Sequence, residues 1–482
     1  MKLWRIAVRL ALAAGLLWLA GCINLGPDYR QPPPPVPPPA RFQHAAGSPN
    51  YRPQDRWWEE LGDPRLNQLV QKALARNWDV KKAAARVLEL RARFVEAGAA
   101  RYPRLNLEGK SSRRQSTANT SLPSFINVDR RTDQHDLSLA ASFELDLWGR
   151  LEKAEQAARA ELLAAQENRR TVRQTVVAEV VSAYLKLEAL ERRLGVLERS
   201  LAAHRDNVVL VSRRFERGLA SLLDLKQARR ALASTRAQRP ALLQELGLQQ
   251  QALAVLVGDY PHTEPARPQP QDYFKPLPPV PAGLPSELLL RRPDLRAALA
   301  RVKALYAQVG VAKAARFPTI RLTAAYGYSS QELGDLFNPG SELWNLAAGL
   351  VQPLFDAGRL ESRQRAAEAR LKQGLADYAK AALRAFREVE SALLVRRRQL
   401  ERRRLLQEAL KDAIATERAA KNRYLRGLTD YLRVLEAQFT RYNLEDALVL
   451  NELAILTNRV TLHRALGGGW ASARTLGAAK SE

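Results

Sequence analysis

The amino-acid sequence predicts a mixed fold of two tandem copies of one unit, each holding a β-hairpin and two long helices. Three observations carry this. "RNWDVKKAAARVLELRARFVEAGAARYPRLNL" (Arg76–Leu107) aligns without gaps on "RRPDLRAALARVKALYAQVGVAKAARFPTIRL" (Arg291–Leu322), with 14 of 32 positions identical, among them Asp79/Asp294, Arg86/Arg301 and Pro103/Pro318. Downstream of each copy the hydrophobic period changes to two: Leu137, Leu139, Ala141, Phe143 and Leu145 alternate with Ser138, Ala140, Ser142, Glu144 and Asp146. Alternation of that kind places one set on each face of a strand. Then come tracts from Arg150 to about Arg213 and from Leu360 to Arg423 with no proline and one glycine each, Gly195 and Gly374. Such runs are far longer than an ordinary globular helix and predict coiled-coil-like packing.

Taken in order, the chain starts with an export signal. Lys2, Arg5 and Arg9 precede the apolar run "LALAAGLLWLA" (Leu10–Ala20). Eleven residues are too few for a membrane span, which needs about twenty, so residues 1–21 read as a cleaved signal peptide. It ends in "LAGC", and Cys22 is the only cysteine, which excludes an intramolecular disulfide and any multi-thiolate metal site. Residues 22–56 contain "QPPPPVPPPA" and predict an extended tether.

The first copy spans residues 57–258, with strands at about 104–146 and helices at about 150–213 and 222–257. Its hairpin joins "RLNLEGK" to "LSLAASFELD" through the polar span Ser111–Arg131. A proline-rich link, residues 259–285, leads to the second copy, residues 286–466, with strands at about 319–354 and helices at about 360–423 and 431–466. Its strands, "TIRLTAAYGYSS" and the run alternating at Trp344, Leu346, Ala348 and Leu350, join through Gln331–Gly340. Residues 467–482 form a tail. At a second offset, "ELDLWGRLE" (Glu144–Glu152) answers "PLFDAGRLE" (Pro353–Glu361), and "RRFERGLASLLDLKQAR" answers "NRYLRGLTDYLRVLEAQ". In those last stretches Gly218 and Gly427 suit the left-handed end of a helix, and Ser221 and Asp430 suit the N-cap of the next.

Four strands do not close a barrel, and a membrane does not tolerate open edges. They either pack on a soluble core or are completed by other subunits. The net charge of +26 raises nucleic acid as a ligand, but the basic residues recur along the whole chain, interleaved with acids and alanines, and no compact basic module stands out. The run "RRRQLERRRLLQEALKD" from Arg396 reads as a solvated helix face. His44, His135, His204, His262 and His463 form no metal-ligand spacing, and no phosphate loop, serine elbow or metalloprotease helix is present, so no catalytic residue, cofactor or metal is expected.

The "LAGC" stretch resembles the lipobox of bacterial lipoproteins, which implies a diacylglycerol on the Cys22 thiol, a further acyl chain on its amino group, and sorting to the outer membrane. With the duplicated hairpins, "FELDLWGR", "QPLFDAGRL" and the paired "RGL" turns, nearly all of the mature chain resembles the outer-membrane factors of tripartite efflux and secretion systems, the TolC-like, NodT-type outer-membrane lipoproteins. That resemblance implies a homotrimer: a 12-stranded transmembrane β-barrel in the outer membrane continued by a 12-helix periplasmic α-barrel. It implies a passive exit channel for drugs, other toxic compounds or metal ions, driven by an inner-membrane resistance-nodulation-division pump or ABC transporter through a periplasmic adaptor. A channel for type I protein secretion and a lipid-anchored periplasmic coiled-coil scaffold are the alternatives. By the same resemblance, Leu432 and Glu436 face the periplasmic constriction, with Tyr424 and Arg423 as closing contacts. Gly218, Leu219, Ser221, Gly427, Leu428 and Asp430 form the turns that meet the adaptor. Trp148, Gly149, Arg150, Pro353, Gly358 and Arg359 mark the strand–helix junctions.

Replacing Cys22 by Ser should abolish incorporation of radiolabelled palmitate while leaving the strand and helix pattern intact; labelling that persists unchanged in the variant overturns the lipoprotein reading.

Overall fold

The computed structural model describes residues 25–34, 36–44, 56–115, 117, 131–267, 277–283 and 285–468. Cys22, the signal peptide, residues 268–276 of the link and the tail beyond 468 lie outside the described residues. A short 3₁₀ turn at Trp57–Leu61 precedes α1 (Pro64–Arg76) and α2 (Trp78–Ala99), then β1 (Arg104–Gln115), β2 (Arg131–Leu145), α3 (Arg150–Glu216) and α4 (Leu222–Val257). The second copy repeats the order as α5 (Pro285–Arg291), α6 (Pro293–Ala314), β3 (Thr319–Ser330), β4 (Glu342–Val351), α7 (Arg359–Leu425) and α8 (Tyr431–Ala465). Helices α3 and α7 are each 67 residues long. Pro240 stands inside α4 without ending it, although it removes one backbone donor.

Contacts divide the chain into two units, each assembled from three segments. The first holds Val87–Ala165, Ala298–Tyr378 and the N-terminal stretch to Pro33. Its centre is a four-stranded antiparallel sheet in the order β1-β2-β3-β4. β1 runs further than the sequence suggests. Residues Ser111–Gln115, expected in the connection, pair with Arg131–His135. Polar cross-strand pairs extend the ladder there: Arg113 grips Asp133 with Nε at 2.7 Å and Nη2 at 2.5 Å, and Ser111 meets His135 at 2.9 Å.

The second unit, Pro34–Arg86, Gln166–Ala297 and the chain from Ala379, carries the main apolar cores. Trp57, Trp58, Leu66 and Val70 pack with Val176, Val180, Val181, Leu246, Leu253 and Val460. Asp63 caps α1 through the amides of Arg65 and Leu66 and also accepts a hydrogen bond from the Tyr184 hydroxyl at 2.5 Å.

The stretch expected as an extended tether is fastened on either side of its prolines. In the first unit, Tyr29 meets Tyr306 edge-on at 5.6 Å, and Gly26 lies so near Gly310 that an added Cβ would come within 2.9 Å of its Cα. In the second, Phe42 is 2% exposed among Val280, Leu288, Leu295, Ala382 and Val389, and the Gln43 amide donates to Glu390 at 2.7 Å. The prolines themselves supply extension, while the aromatic residues flanking them supply the apolar area that fastens the chain.

His463, near the end of α8, is buried and stacks on Trp57 at 4.9 Å with an interplanar angle of 8°. Burial, with Arg459 nearby, pushes its imidazole down to about 3. Between about pH 6.5 and 3 the unfolded chain therefore binds a proton that the folded chain refuses, so stability falls as pH falls through that window, by about 1.4 kcal/mol per pH unit. His463→Phe should flatten this slope; urea unfolding at pH 7 and pH 4 should show the wild type losing up to about 3 kcal/mol more than the variant, and equal losses would show that His463 does not carry it.

Candidate functional site

The sheet has two unlike faces. Register places Leu107, Leu139, Tyr326 and Trp344 in one row, with Ala141, Ala324 and Leu346 beside it and Phe143, Leu322 and Ala348 beyond. The intervening rows hold Asn106, Ala140, Ala325 and Asn345, then Ser142, Thr323 and Ala347. The apolar row is not a core: Trp344 is 76% exposed and Leu346 77%. Aromatic residues gather toward both ends of the strands. Tyr326, Tyr328 and Phe337 form an edge-to-face chain with centroids 6.4 and 5.6 Å apart, while Trp148 packs on Phe317 at 5.1 Å and its indole donates to the Pro318 carbonyl at 2.7 Å. The outer strands β1 and β4 have no neighbour on their far sides among the described residues.

Each hairpin passes into a long helix through a tight junction. Gly149 and Gly358 hold φ of +70° and +80°, and the first helical residues, Arg150 and Arg359, follow. Arg150 pairs with Glu144 at 2.6 Å, and Arg359 lies 3.9 Å from Asp356. Pro353 stays exposed, its carbonyl taking the Gln352 side-chain amide at 3.0 Å. Sequence reading missed the caps. Asp146 accepts the amides of Leu151 and Glu152 at 3.0 and 2.8 Å, and Asp356 accepts those of Gly358 and Leu360 at 3.1 and 3.0 Å. Alignment of the two copies sets Asp146 against Phe355, one residue short of Asp356, so the shared capping role does not show as a matched position.

In the other unit, both turns reverse the chain in the same way. Gly218 and Gly427 have φ of +69° and +74°, a conformation that L side chains rarely adopt. The amides of Leu219 and Leu428 close the motif by reaching back to the carbonyls of Arg214 and Arg423 at 2.7 and 2.9 Å. Ser221 and Asp224 exchange side chain and backbone at 3.0 Å each, while Asp430 accepts only from the Arg433 amide at 3.3 Å. Leu219 and Leu428 project into solvent, each 61% exposed.

The four residues proposed for the constriction separate into two groups. Leu432 and Glu436 lie on one groove of α8 together with Leu435 and Phe439. Glu436 is exposed and paired with Arg433 at 2.9 Å, so its charge is partly offset within the chain. Tyr424 is buried instead, its ring 5.4 Å from that of Tyr431 in a small core with Val211, Leu225 and Val434, and burial pushes its hydroxyl up. Arg423 is exposed on α7.

Above this core runs a buried polar ladder that the sequence reading did not single out. The Asn207 amide donates to Gln438 at 2.7 Å, Gln438 donates to Glu417 at 3.1 Å, and Arg441 binds Glu417 at 2.8 Å and Glu445 at 2.9 Å. Arg199 takes the other oxygen of Glu445 at 2.9 Å, and Arg192 reaches Glu452 at 2.5 Å. These bonds tie α3, α7 and α8 together. Polar residues standing at packed positions of alanine-rich helices were the available signal. The arginine run from Arg396 is solvated only in part: Arg398 and Arg404 pair with exposed acids of the same helix, but Arg403 reaches the buried Glu452 at 3.3 Å.

Among the described residues, no group of acidic, histidine and cysteine side chains is arranged to hold a metal, and no helix is long and apolar enough to cross a membrane.

Comparison with known proteins agrees with this anatomy. The family model described as "outer membrane efflux protein" matches residues 69–259 and 284–468. The chain is 32% identical over 457 residues to the cation efflux system protein CusC of Escherichia coli O6:H1, covering 94% of this chain and 97% of the relative. It is 33% identical over 480 residues to the toluene efflux pump outer membrane protein TtgF of Pseudomonas putida, covering 98% of both. The solved structure of the Neisseria gonorrhoeae MtrE outer membrane channel, in its open state, superposes with a TM-score of 0.81 at 28% identity over 92% of this chain and 98% of that one.

Proposed function

The chain belongs to the outer membrane efflux protein family, and from that premise we propose that three copies assemble into a 12-stranded barrel in the outer membrane and a 12-helix periplasmic barrel. The protein is an outer-membrane exit channel of a tripartite efflux system, not an enzyme. The single observation that carries the trimeric reading is the two-faced sheet. Its apolar row is exposed, its other face is small and polar, and its edge strands lack partners among the described residues. Lipid suits the first face and a water-filled lumen the second, and two further copies complete the edges. The aromatic clusters toward the strand ends suit the two membrane interfaces.

On the same reading, an acyl-modified Cys22 anchors the chain to the outer membrane, the Gly218 and Gly427 turns meet a periplasmic adaptor, and a resistance-nodulation-division pump or ABC transporter supplies the energy. Relatives named for cations and toluene favour small-molecule cargo over secreted protein. Leu432 and Glu436 narrow the periplasmic end, one sterically and one by charge. Tyr424 contributes through the core that sets the angle of the turn, and Arg423 as an exposed cation beside it.

Two measurements test this. Leu346→Arg should depress the yield of membrane-inserted trimer by the cost of a cation facing lipid, about 2–4 kcal/mol near the midplane, whereas Ala347→Arg, on the opposite face, should assemble normally; equal tolerance of both would remove the barrel assignment. In planar bilayers, Leu432→Ala with Glu436→Ala should raise resting conductance. Glu436→Gln alone should lower cation preference, more so at low salt because it leaves Arg433 unopposed. Unchanged conductance and selectivity in confirmed trimers would place the constriction elsewhere.

A further inference from the structure

Helices α3, α6 and α7 enclose a groove of about 730 Å³ in the unit that carries the sheet. Its walls are made of small side chains, among them Ala157, Ala312 and Ala366, and its charged members are Arg150, Arg363, Arg370 and Glu161. Two of these are already occupied: Arg150 by Glu144 at 2.6 Å, and Glu161 by the side-chain amide of Gln308 at 3.2 Å.

Arg363 and Arg370 are different. They stand seven residues apart, two turns along one face of α7, and both are exposed. Neither has an ion-pair or hydrogen-bond partner among the described residues. The acids and amides nearby serve other groups: Asp356 lies beside Arg359, Glu361 holds Arg365 at 2.6 Å, and Gln364 takes Arg316 at 2.9 Å. Two uncompensated guanidinium groups therefore border an alanine-walled groove. Glu144 belongs to the polar set of the sheet, so Arg150 carries that polar face into the groove.

We propose that this groove is a binding site for small amphiphilic carboxylates, with Arg363 and Arg370 taking the carboxylate and the alanine walls the alkyl portion. Guanidinium groups offer forked donors that match a carboxylate, and small side chains leave room for a tail while still presenting apolar surface. The inference rests on the channel reading, which makes the polar face luminal, and it names a cargo class for that lumen. Three copies would place six free guanidinium groups along the path, a use for part of the chain's excess positive charge.

The test is equilibrium dialysis of radiolabelled octanoate against the purified trimer in phosphatidylcholine nanodiscs, with octyltrimethylammonium as the tail-matched cation and conductance recorded on the same preparations. Octanoate should bind, weaken with added salt, and lose about tenfold or more in affinity in the Arg363→Gln/Arg370→Gln double variant, while octyltrimethylammonium binds no better to the wild type than to the variant. Octanoate binding that is absent, unchanged by the substitutions, or matched by the cation overturns the site. Arginine-dependent binding by a trimer that conducts nothing even with Leu432→Ala and Glu436→Ala leaves the site standing and removes the channel reading instead.

Discussion

A strand edge exposes a row of backbone donors and acceptors that hydrocarbon leaves unsatisfied, and that constraint organises this molecule. One chain supplies four strands in a simple meander, with β1 and β4 open on their outer sides. Once the apolar row of the sheet is given to lipid, closure by further copies and the inward direction of the polar row follow from the need to pair those edges. The junction caps then matter because the second strand of each hairpin, β2 or β4, hands directly to a long helix, and Asp146 and Asp356 satisfy amides at the point of change.

Duplication explains why so much of this was legible in the sequence. Two copies of one pattern let each weak signal be read twice: the period-two runs, the proline-free tracts and the glycine turns all recur. Long helices without proline leave little choice of element, and glycines at positive φ announce the turns. What was less legible depends on distance along the chain. The extra pairs at the far end of the first hairpin come from Arg113 finding Asp133, a contact invisible to hydrophobic periodicity. Tyr29 and Phe42 beside the prolines gave no periodic signal, yet they fasten a segment whose composition reads as an extended tether.

The functional residues divide along the same line. Turn formers could be named because their chemistry is local to a few residues. The burial of Tyr424 is not legible in its local sequence, since it depends on Val211 and Tyr431 from two other helices. Likewise the arginines of α7 look equivalent in the sequence. Only the fold distinguishes Arg365, held by an acid one turn away, from Arg363 and Arg370, which face an alanine-walled groove.

The ladder of Asn207, Gln438, Glu417, Arg441 and Glu445 has a mechanical corollary. Apolar side chains slide past one another with little penalty, because one methyl group replaces another. Buried charges do not. Shifting α8 along α7 by a single turn, about 5.4 Å, would part Gln438 and Arg441 from the buried Glu417 and leave that carboxylate unsatisfied, at a cost of several kcal/mol. The helices are thus indexed like the teeth of a gear. They can tilt, or part together as a hairpin, but a continuous glide is closed to them, and any rearrangement of this end proceeds in discrete steps.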